Sequence, residues 1–336
     1  MTAAHAERLE RELARLVRLR RPGVRLVAVE RSRHLAPSSW AVEDLEVRLS
    51  DGSVVQLVLK DVTREAPGSG ARTVKPARVF DPRREIWIYD NVLPRVPESA
   101  ACWGTVTDEE AGIHWLLLER VDGRPLWEVG DATVWMSAAE WLGRFHAKFL
   151  GAPPRCAVLM EHDRHLHRWW FGRALALTRN GANAALSLRR RETLMRLAPL
   201  HRAAVERVMG EAPTLLHGEF YPANILVDDD GPERSIVPVD WEMAGVGPCV
   251  LDLAALTSGG WGEDDRAAFV ASYARARAEA GAHCPPLAPL LESVEAARLL
   301  LAVQWLGWAG DAWRPPTELY TNWLEEAVRS ADRLSA

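Results

Sequence analysis

From Leu215 to Asp252 the chain reads LLHGEFYPANILVDDDGPERSIVPVDWEMAGVGPCVLD, a stretch that concentrates residues able to do chemistry. Two apolar runs, 214–216 and 225–227, bracket a polar loop that carries His217, Glu219 and Asn224. A turn at 228–231 leads into a third apolar run, 235–239, which ends at Asp240. Acids and an amide at the ends of short buried strands suit a divalent cation and a hydroxyl nucleophile. Glu242, two residues beyond Asp240, is either a second acid of that metal site or a structural group.

Composition narrows what such a loop could serve. With 336 residues, 48% of them hydrophobic, the chain can bury a large core and is long enough for about two domains. A net charge of −5 leaves no concentrated basic face, so no nucleic-acid partner is expected. Positive charge is almost all arginine; lysine occurs only at Lys60, Lys75 and Lys148, which makes a lysine inside a strand pattern notable. Cys102, Cys156, Cys249 and Cys284 have no metal-site spacing and suggest a reduced, cytoplasmic setting. The N-terminus has no apolar core after its charges, and the apolar segment 299–309 is too short for a bilayer, so neither a signal peptide nor a membrane partner is expected. Monomer and homodimer both stay open.

The elements that must position the loop follow from hydrophobic period. Leu9, Leu13, Leu16 and Leu19 recur at helical spacing in 5–20. Residues 24–30, 41–49 and 54–62 read as strands, the last two joined by the turn 50–53, with Lys60 near the end of the third. The Gly-, Pro- and Arg-rich stretch 64–78 reads as a loop, 81–92 as a helix bearing Glu85, and 102–107 and 114–120 as two more strands. Residues 121–125 break the pattern. Beyond them 137–150, 164–177, 185–209, 264–280, 288–309 and 317–334 read as helices, the first with Ser137 as N-cap and Glu140 completing a capping box. The expectation is an α+β, bilobal, protein-kinase-like chain. It comprises a terminal helix 1–20, a small antiparallel-sheet lobe 21–119, a hinge 120–125 and a larger, mostly helical lobe 126–336.

Phosphoryl transfer needs a lysine on the nucleotide phosphates, an acid to hold it, metal ligands, and an acid facing the acceptor hydroxyl. Lys60, Glu85, Glu219, Asn224 and Asp240 supply these in order. HGEFYPANILV followed by IVPVDWEMAGVGPCVLDLA resembles the catalytic region of the aminoglycoside phosphotransferase and choline kinase family, and LLLERVDGRPL and WLGRFHA resemble its hinge and first large-lobe helix. That resemblance spans roughly 24–330. It implies ATP (or GTP) and Mg²⁺ as cofactors, with Asn224 and Asp240 on the metal, Lys60 on the phosphates and paired with Glu85, and the Glu119–Val121 backbone on adenine. It implies a structural role for Asp252 and a loop-organising role for His217, and an acceptor that is an antibiotic or other hydroxylated small molecule.

One position departs: the family's catalytic aspartate falls on Glu219, one methylene longer. A displacement of about 1 Å can cost about 100-fold in rate. The chain is therefore either a phosphotransferase with Glu219 as base or a degenerate nucleotide-binding relative. A protein-kinase role is a weaker third reading, because H-R-D and an activation segment are missing. Ser38 and Ser39 could meet phosphates or form an ordinary turn. His162, His165 and His167 read as solvated or helix-surface residues. Trp169, Trp170, Trp261, Trp305, Trp308, Trp313 and Trp323 read mostly as core, although Trp305 and Trp308 share a helical face and, with Asp311 beyond them, could line an acceptor pocket.

Overall fold

The computed structural model describes residues 3–34, 40–63, 76–178, 184–228, 235–308 and 317–335. Ser39, Asp311 and Trp313 lie outside them. The chain divides into two compact units, one of residues 1–75 and 80–122, the other of 76–79 and 123–336.

In the first unit, helix α1 (Ala3–Arg20) precedes an antiparallel sheet of β1 (Leu26–Arg33), β2 (Ala41–Leu49), β3 (Val54–Asp61), β4 (Cys102–Asp108) and β5 (Ile113–Glu119), ordered β1-β2-β3-β5-β4. The first strand starts later than its apolar pattern suggests, because Gly23 at φ 87 turns the chain and the Val24 N–H donates to the Arg21 carbonyl. Period-two alternation sends Leu45 and Val47 of β2 and Leu57 and Leu59 of β3 to one face. There Leu9, Leu13, Leu16 and Val17 of α1 close over them, none more than 6% exposed. Full burial stabilises by about 1.5–3 kcal/mol for each such side chain. Gly104 makes the fit possible: a Cβ at that position would lie 2.5 Å from a methyl of Leu16.

Helix α2 (Pro82–Asn91) also belongs to this unit. Asp81 caps it by accepting from the Arg83 N–H, and Pro82 at its first position fixes φ for the turn.

The second unit is mainly helical. In chain order it contains β6 (Arg124–Pro125), α3 (Leu126–Val129), α4 (Ala132–Phe149), β7 (Met160–Glu161), α5 (Arg164–Leu177), α6 (Ala184–Val208), β8 (Pro213–Leu216), β9 (Ile225–Asp228), β10 (Ser235–Pro238), β11 (Gly245–Pro248), α7 (Val250–Leu256), α8 (Glu263–Glu279), α9 (Leu287–Trp308) and α10 (Thr317–Ser335). Helix α9 is apolar all round and buried along most of its length, packing on α5, α6, α7 and α10. Two three-stranded sheets, β10-β9-β6 and β7-β11-β8, flank the chemistry-bearing loop.

Two expectations need correction, and one strand was not expected at all. Helix α4 starts at Ala132, not Ser137: Asp131 is the cap, accepting from the Thr133 N–H, and the Ser137 hydroxyl donates to the Thr133 carbonyl inside the helix. Strand β11 was hidden because Gly-Val-Gly-Pro reads as a turn. Its glycines are required by contact, since a Cβ at Gly245 or Gly247 would press on His162. His162 and His167 are buried, at 5% and 2% exposure, and do not lie on the surface. His162 sits against the Met243 carbonyl, whereas neither ring nitrogen of His167 has a hydrogen-bond partner among the described residues.

Burial holds His167 and His201 uncharged, lowering their pKa values to about 3 and about 4, with the charges of His162 and His201 adding to the effect at His167. Unfolding restores an ordinary value near 6.5, so below that pH the unfolded chain binds protons the folded chain refuses. Stability is unaffected above pH 6.5 and falls as pH drops toward 4. At pH 5 each residue costs on the order of 2 kcal/mol. Urea unfolding at pH 7.5 and pH 5 should show this loss, and His167→Phe should flatten the pH dependence.

Candidate active site

Lys60 of β3 points to the face opposite Leu57 and Leu59, as period two demands. Its Nζ lies 2.7 Å from Glu85 Oε2, with the two side chains 9% and 2% exposed. Glu85 is one turn into α2, so the capped start of that helix aims it. Glu119, expected at the nucleotide base, holds the sheet edge: its N–H donates to the Ala101 carbonyl and its carboxylate accepts from the Ala101 N–H. Arg120 donates its N–H to the Gln56 carbonyl, and Val121 follows outside the sheet.

In the second unit the loop from His217 to Asn224 hangs between β8 and the 3₁₀ turn Pro222–Asn224 that opens β9. Its anchor is Asp252, 1% exposed. Asp252 Oδ2 accepts from the His217 N–H at 2.7 Å, Oδ1 accepts from the Gly218 N–H at 2.9 Å, and His146 Nε2 donates at 3.2 Å. Burial alone would raise this carboxyl's pKa, but the hydrogen bonds it accepts, first from His146 and then from the His217 N–H, bring it below the ordinary value. Asp252 is therefore an anion.

Gly218 has φ 84, and a Cβ there would overlap the Met243 carbonyl, so no other residue fits. The His217 ring closes the loop from the other side. Nε2 donates to the Val239 carbonyl at 3.0 Å, which leaves Nδ1 to accept from the Glu219 N–H at 3.3 Å. The Glu219 carbonyl accepts from the Tyr221 N–H at 2.7 Å and the Asn224 amide at 3.0 Å. With its NH₂ group engaged there, Asn224 presents its carbonyl oxygen as the outward donor.

Asp240 follows β10 in the left-handed region, φ 66, which aspartate tolerates better than most residues. Trp241 plugs the core at 0% exposure, its ring 4.3 Å from that of His217. The turn it anchors places the carboxylates of Asp240 and Glu242 with that of Glu219, their oxygens within 4.8 Å of one another. Three acids so close repel one another, and a hard divalent cation is the partner that such oxygens fit.

The structure thus brings Glu219, Asn224, Asp240 and Glu242 together, with His217 and Asp252 behind them. Of the two tryptophans expected near an acceptor, Trp305 meets the loop: its Nε1–H donates to the Tyr221 hydroxyl at 3.0 Å. Trp308 stacks on Trp170 and joins a separate apolar cluster. Burial and the Glu219 charge keep the Tyr221 hydroxyl protonated, with a pKa well above the ordinary phenol value.

Tyr221, Pro222 and Ala223 also wall a cavity of about 560 Å³ with Trp127, Trp135 and Trp261. The sequence reading missed Trp127, Trp135 and His146. A histidine on the apolar face of an amphipathic helix, three residues after Gly143, was the available signal for His146.

The phosphotransferase enzyme family profile matches residues 34–290. The chain belongs to that family. It is accordingly a small-molecule phosphotransferase acting on hydroxyl groups. Solved structures share its α+β fold, with a small antiparallel sheet and a mostly helical remainder. A choline kinase from Cryptosporidium parvum Iowa II is 13% identical with a TM-score of 0.65, the match covering 97% of this chain and 96% of that one. A microcompartment-associated aminopropanol kinase is 15% identical with a TM-score of 0.59, covering 96% of each chain. Aminoglycoside 2'-phosphotransferase-IIIa, in its GDP complex, is 14% identical with a TM-score of 0.58, covering 96% of this chain and 99% of that one. No curated protein matches the chain at a significant level. No helix among the described residues of the phosphotransferase is long and apolar enough to cross a membrane.

Removing one partner of the buried Lys60–Glu85 pair leaves the other charged and desolvated, at a cost of about 3–5 kcal/mol. Lys60→Met should lower the unfolding free energy by that much, read from urea denaturation. Lys60→Met combined with Glu85→Leu should recover most of the stability while staying inactive. A double-mutant cycle in stability and in turnover separates the two roles.

Proposed function

We propose that the phosphotransferase moves the γ-phosphoryl group of ATP or GTP onto a hydroxyl of an antibiotic or other secondary metabolite, with Mg²⁺ as cofactor. The observation that carries this reading is the convergence of Glu219, Asp240 and Glu242 beside Asn224. Asp240, Asn224 and Glu242 would hold the magnesium ion, which when bound supplies positive charge against the phosphate oxygens. Lys60, held by Glu85, offers its ammonium to the α- and β-phosphates. Glu119 and Val121 flank the backbone for the nucleotide base. Glu219 takes the proton as the acceptor oxygen bonds to phosphorus and the bridging oxygen leaves with the nucleoside diphosphate. The backbone is held on either side of the Glu219 side chain, by Asp252 at Gly218 and through the Glu219 carbonyl at Tyr221, so the added methylene would be taken up by the side chain. Four unpaired cysteines fit a reducing, cytoplasmic setting.

A second reading of Glu219 has its own support, because its carboxylate lies among the candidate ligands. The two roles separate kinetically. As base, Glu219→Gln should cut kcat about 100- to 10,000-fold at every magnesium concentration. As ligand, the same change should raise the magnesium half-saturation tenfold or more and leave kcat largely recoverable at high magnesium. If Glu219→Gln alters neither, and no hydroxylated compound gains a phosphate by mass spectrometry, the phosphoryl-transfer assignment of this loop is wrong and the reading of a binding-only relative takes its place.

The cavity at Tyr221–Ala223 bears on the acceptor. Trp127, 58% exposed, and Trp261 offer ring faces, and no charged side chain among the described residues lines the cavity. A polycationic acceptor would need carboxylates there, whereas aromatic walls suit the apolar or sugar face of an uncharged one. Trp127→Ala should raise KM for such an acceptor about tenfold with little change in kcat, read in steady-state assays. A selective effect on KM for the nucleotide would remove the cavity from the acceptor site.

A further inference from the structure

Arg277 lies in the last turn of α8, 1% exposed, and forms no ion pair with a carboxylate among the described residues. A buried guanidinium is costly unless its charge is answered. The carbonyl end of its own helix answers part of it. Its Nη1 donates to Cys249 Sγ at 3.1 Å and to the Tyr273 hydroxyl at 3.3 Å. The Tyr273 hydroxyl is in turn 3.1 Å from His146 Nδ1, and His146 Nε2 is 3.2 Å from Asp252 Oδ2.

The ends of this chain set the direction of its protons. Arginine can only donate, so the Tyr273 oxygen accepts from it; the Tyr273 O–H has Cys249 Sγ beside it as well as His146 Nδ1, and the ring nitrogen, unprotonated when Nε2 carries the proton, is the stronger acceptor. An ionised Asp252 can only accept, so the His146 proton sits on Nε2. Each donor therefore faces toward Asp252, and Asp252 passes the constraint to the His217 and Gly218 N–H groups. Positive and negative ends of a buried ion pair are joined through two neutral side chains. Burial lowers the His146 pKa, opposed by Asp252 and reinforced by the Arg277 charge, so the imidazole stays neutral as the chain requires.

The helices are set for this contact. A Cβ at Gly143 would lie 2.5 Å from the Tyr273 carbonyl oxygen, so α4 and α8 meet backbone to backbone one turn from His146. The His146 carbonyl also accepts from the Thr214 hydroxyl on β8, which pins the ring's own backbone to the strand that enters the loop.

We propose that Tyr273 and Arg277 are positioning residues for phosphoryl transfer, acting through His146 and Asp252 on the backbone that presents Glu219. Neither touches a candidate metal ligand, and both support the loop from a helix that contributes no group to the carboxylate cluster.

Tyr273→Phe removes one hydroxyl without removing volume, and Arg277→Met removes the charge while keeping most of the side chain's length. Each should lower kcat about tenfold with KM for nucleotide and acceptor within twofold. The pair combined should lose no more than either alone, because both act through one chain. Arg277→Lys, which restores a cationic donor, should recover part of the loss. ¹⁵N NMR of His146 should show the Nε2–H tautomer in the parent and a tautomer mixture in Tyr273→Phe. Unchanged kcat in folded Tyr273→Phe, multiplicative losses in the double variant, or an unaltered His146 tautomer would overturn the proposal. If Arg277→Met does not fold, Tyr273→Phe and the tautomer measurement decide it alone.

Discussion

A carboxylate stripped of water must have its oxygens occupied by donors, and at Asp252 those donors are His146 and the backbone of the loop that carries Glu219. The reactive side chains depend on that exchange. His217 and Gly218 cannot shift without leaving a buried anion unsatisfied, and no side chain fits at Gly218, where a Cβ would strike the Met243 carbonyl. Glu219, the next residue, inherits a fixed backbone with its N–H on His217 and its carbonyl on Tyr221 and Asn224. Only its side chain is left adjustable. Such a loop can accept a longer acid where a less constrained one would lose its geometry.

Lys60 depends on an analogous exchange of a different kind. There a cation and an anion answer each other directly, in a sheet whose opposite face is sealed by α1. The pair keeps the ammonium fixed at the cost of desolvating it, which suits the phosphate-binding role proposed for it.

Much of this was legible from residues alone, and the reasons are specific. Strands β2 and β3 alternate cleanly because one face of their sheet is covered, so their period, their turn and the side taken by Lys60 followed together. Asp81-Pro82 marked the start of α2 and thereby the height of Glu85. The loop was legible because its acids, amide and glycine sit at strand ends. Ser137 misled because a serine before an apolar run looks like a cap even when an aspartate six residues earlier already caps the helix. His162 and His167 misled because burial inside the fold has no signature in their spacing, whereas His165 is exposed as its spacing suggests. Glycines in β11 stand for close approach, which a single sequence writes in the same letters as a turn. The chain from Arg277 to Asp252 joins residues 25 positions apart in sequence through a third on another helix, so no local pattern could announce it.

The two strands that carry the catalytic loop belong to different sheets, β8 to β7-β11-β8 and β9 to β10-β9-β6. Each sheet has only three short strands, two of them containing a two-residue member, and so little independent stability. Fraying of either would release one end of the loop while the other stayed tethered. The loop's amides therefore report on two separate local openings. His217 and Gly218 would exchange hydrogen with the β8 side, and Asn224 with the β9 side, so the residues of one active site need not share one protection factor.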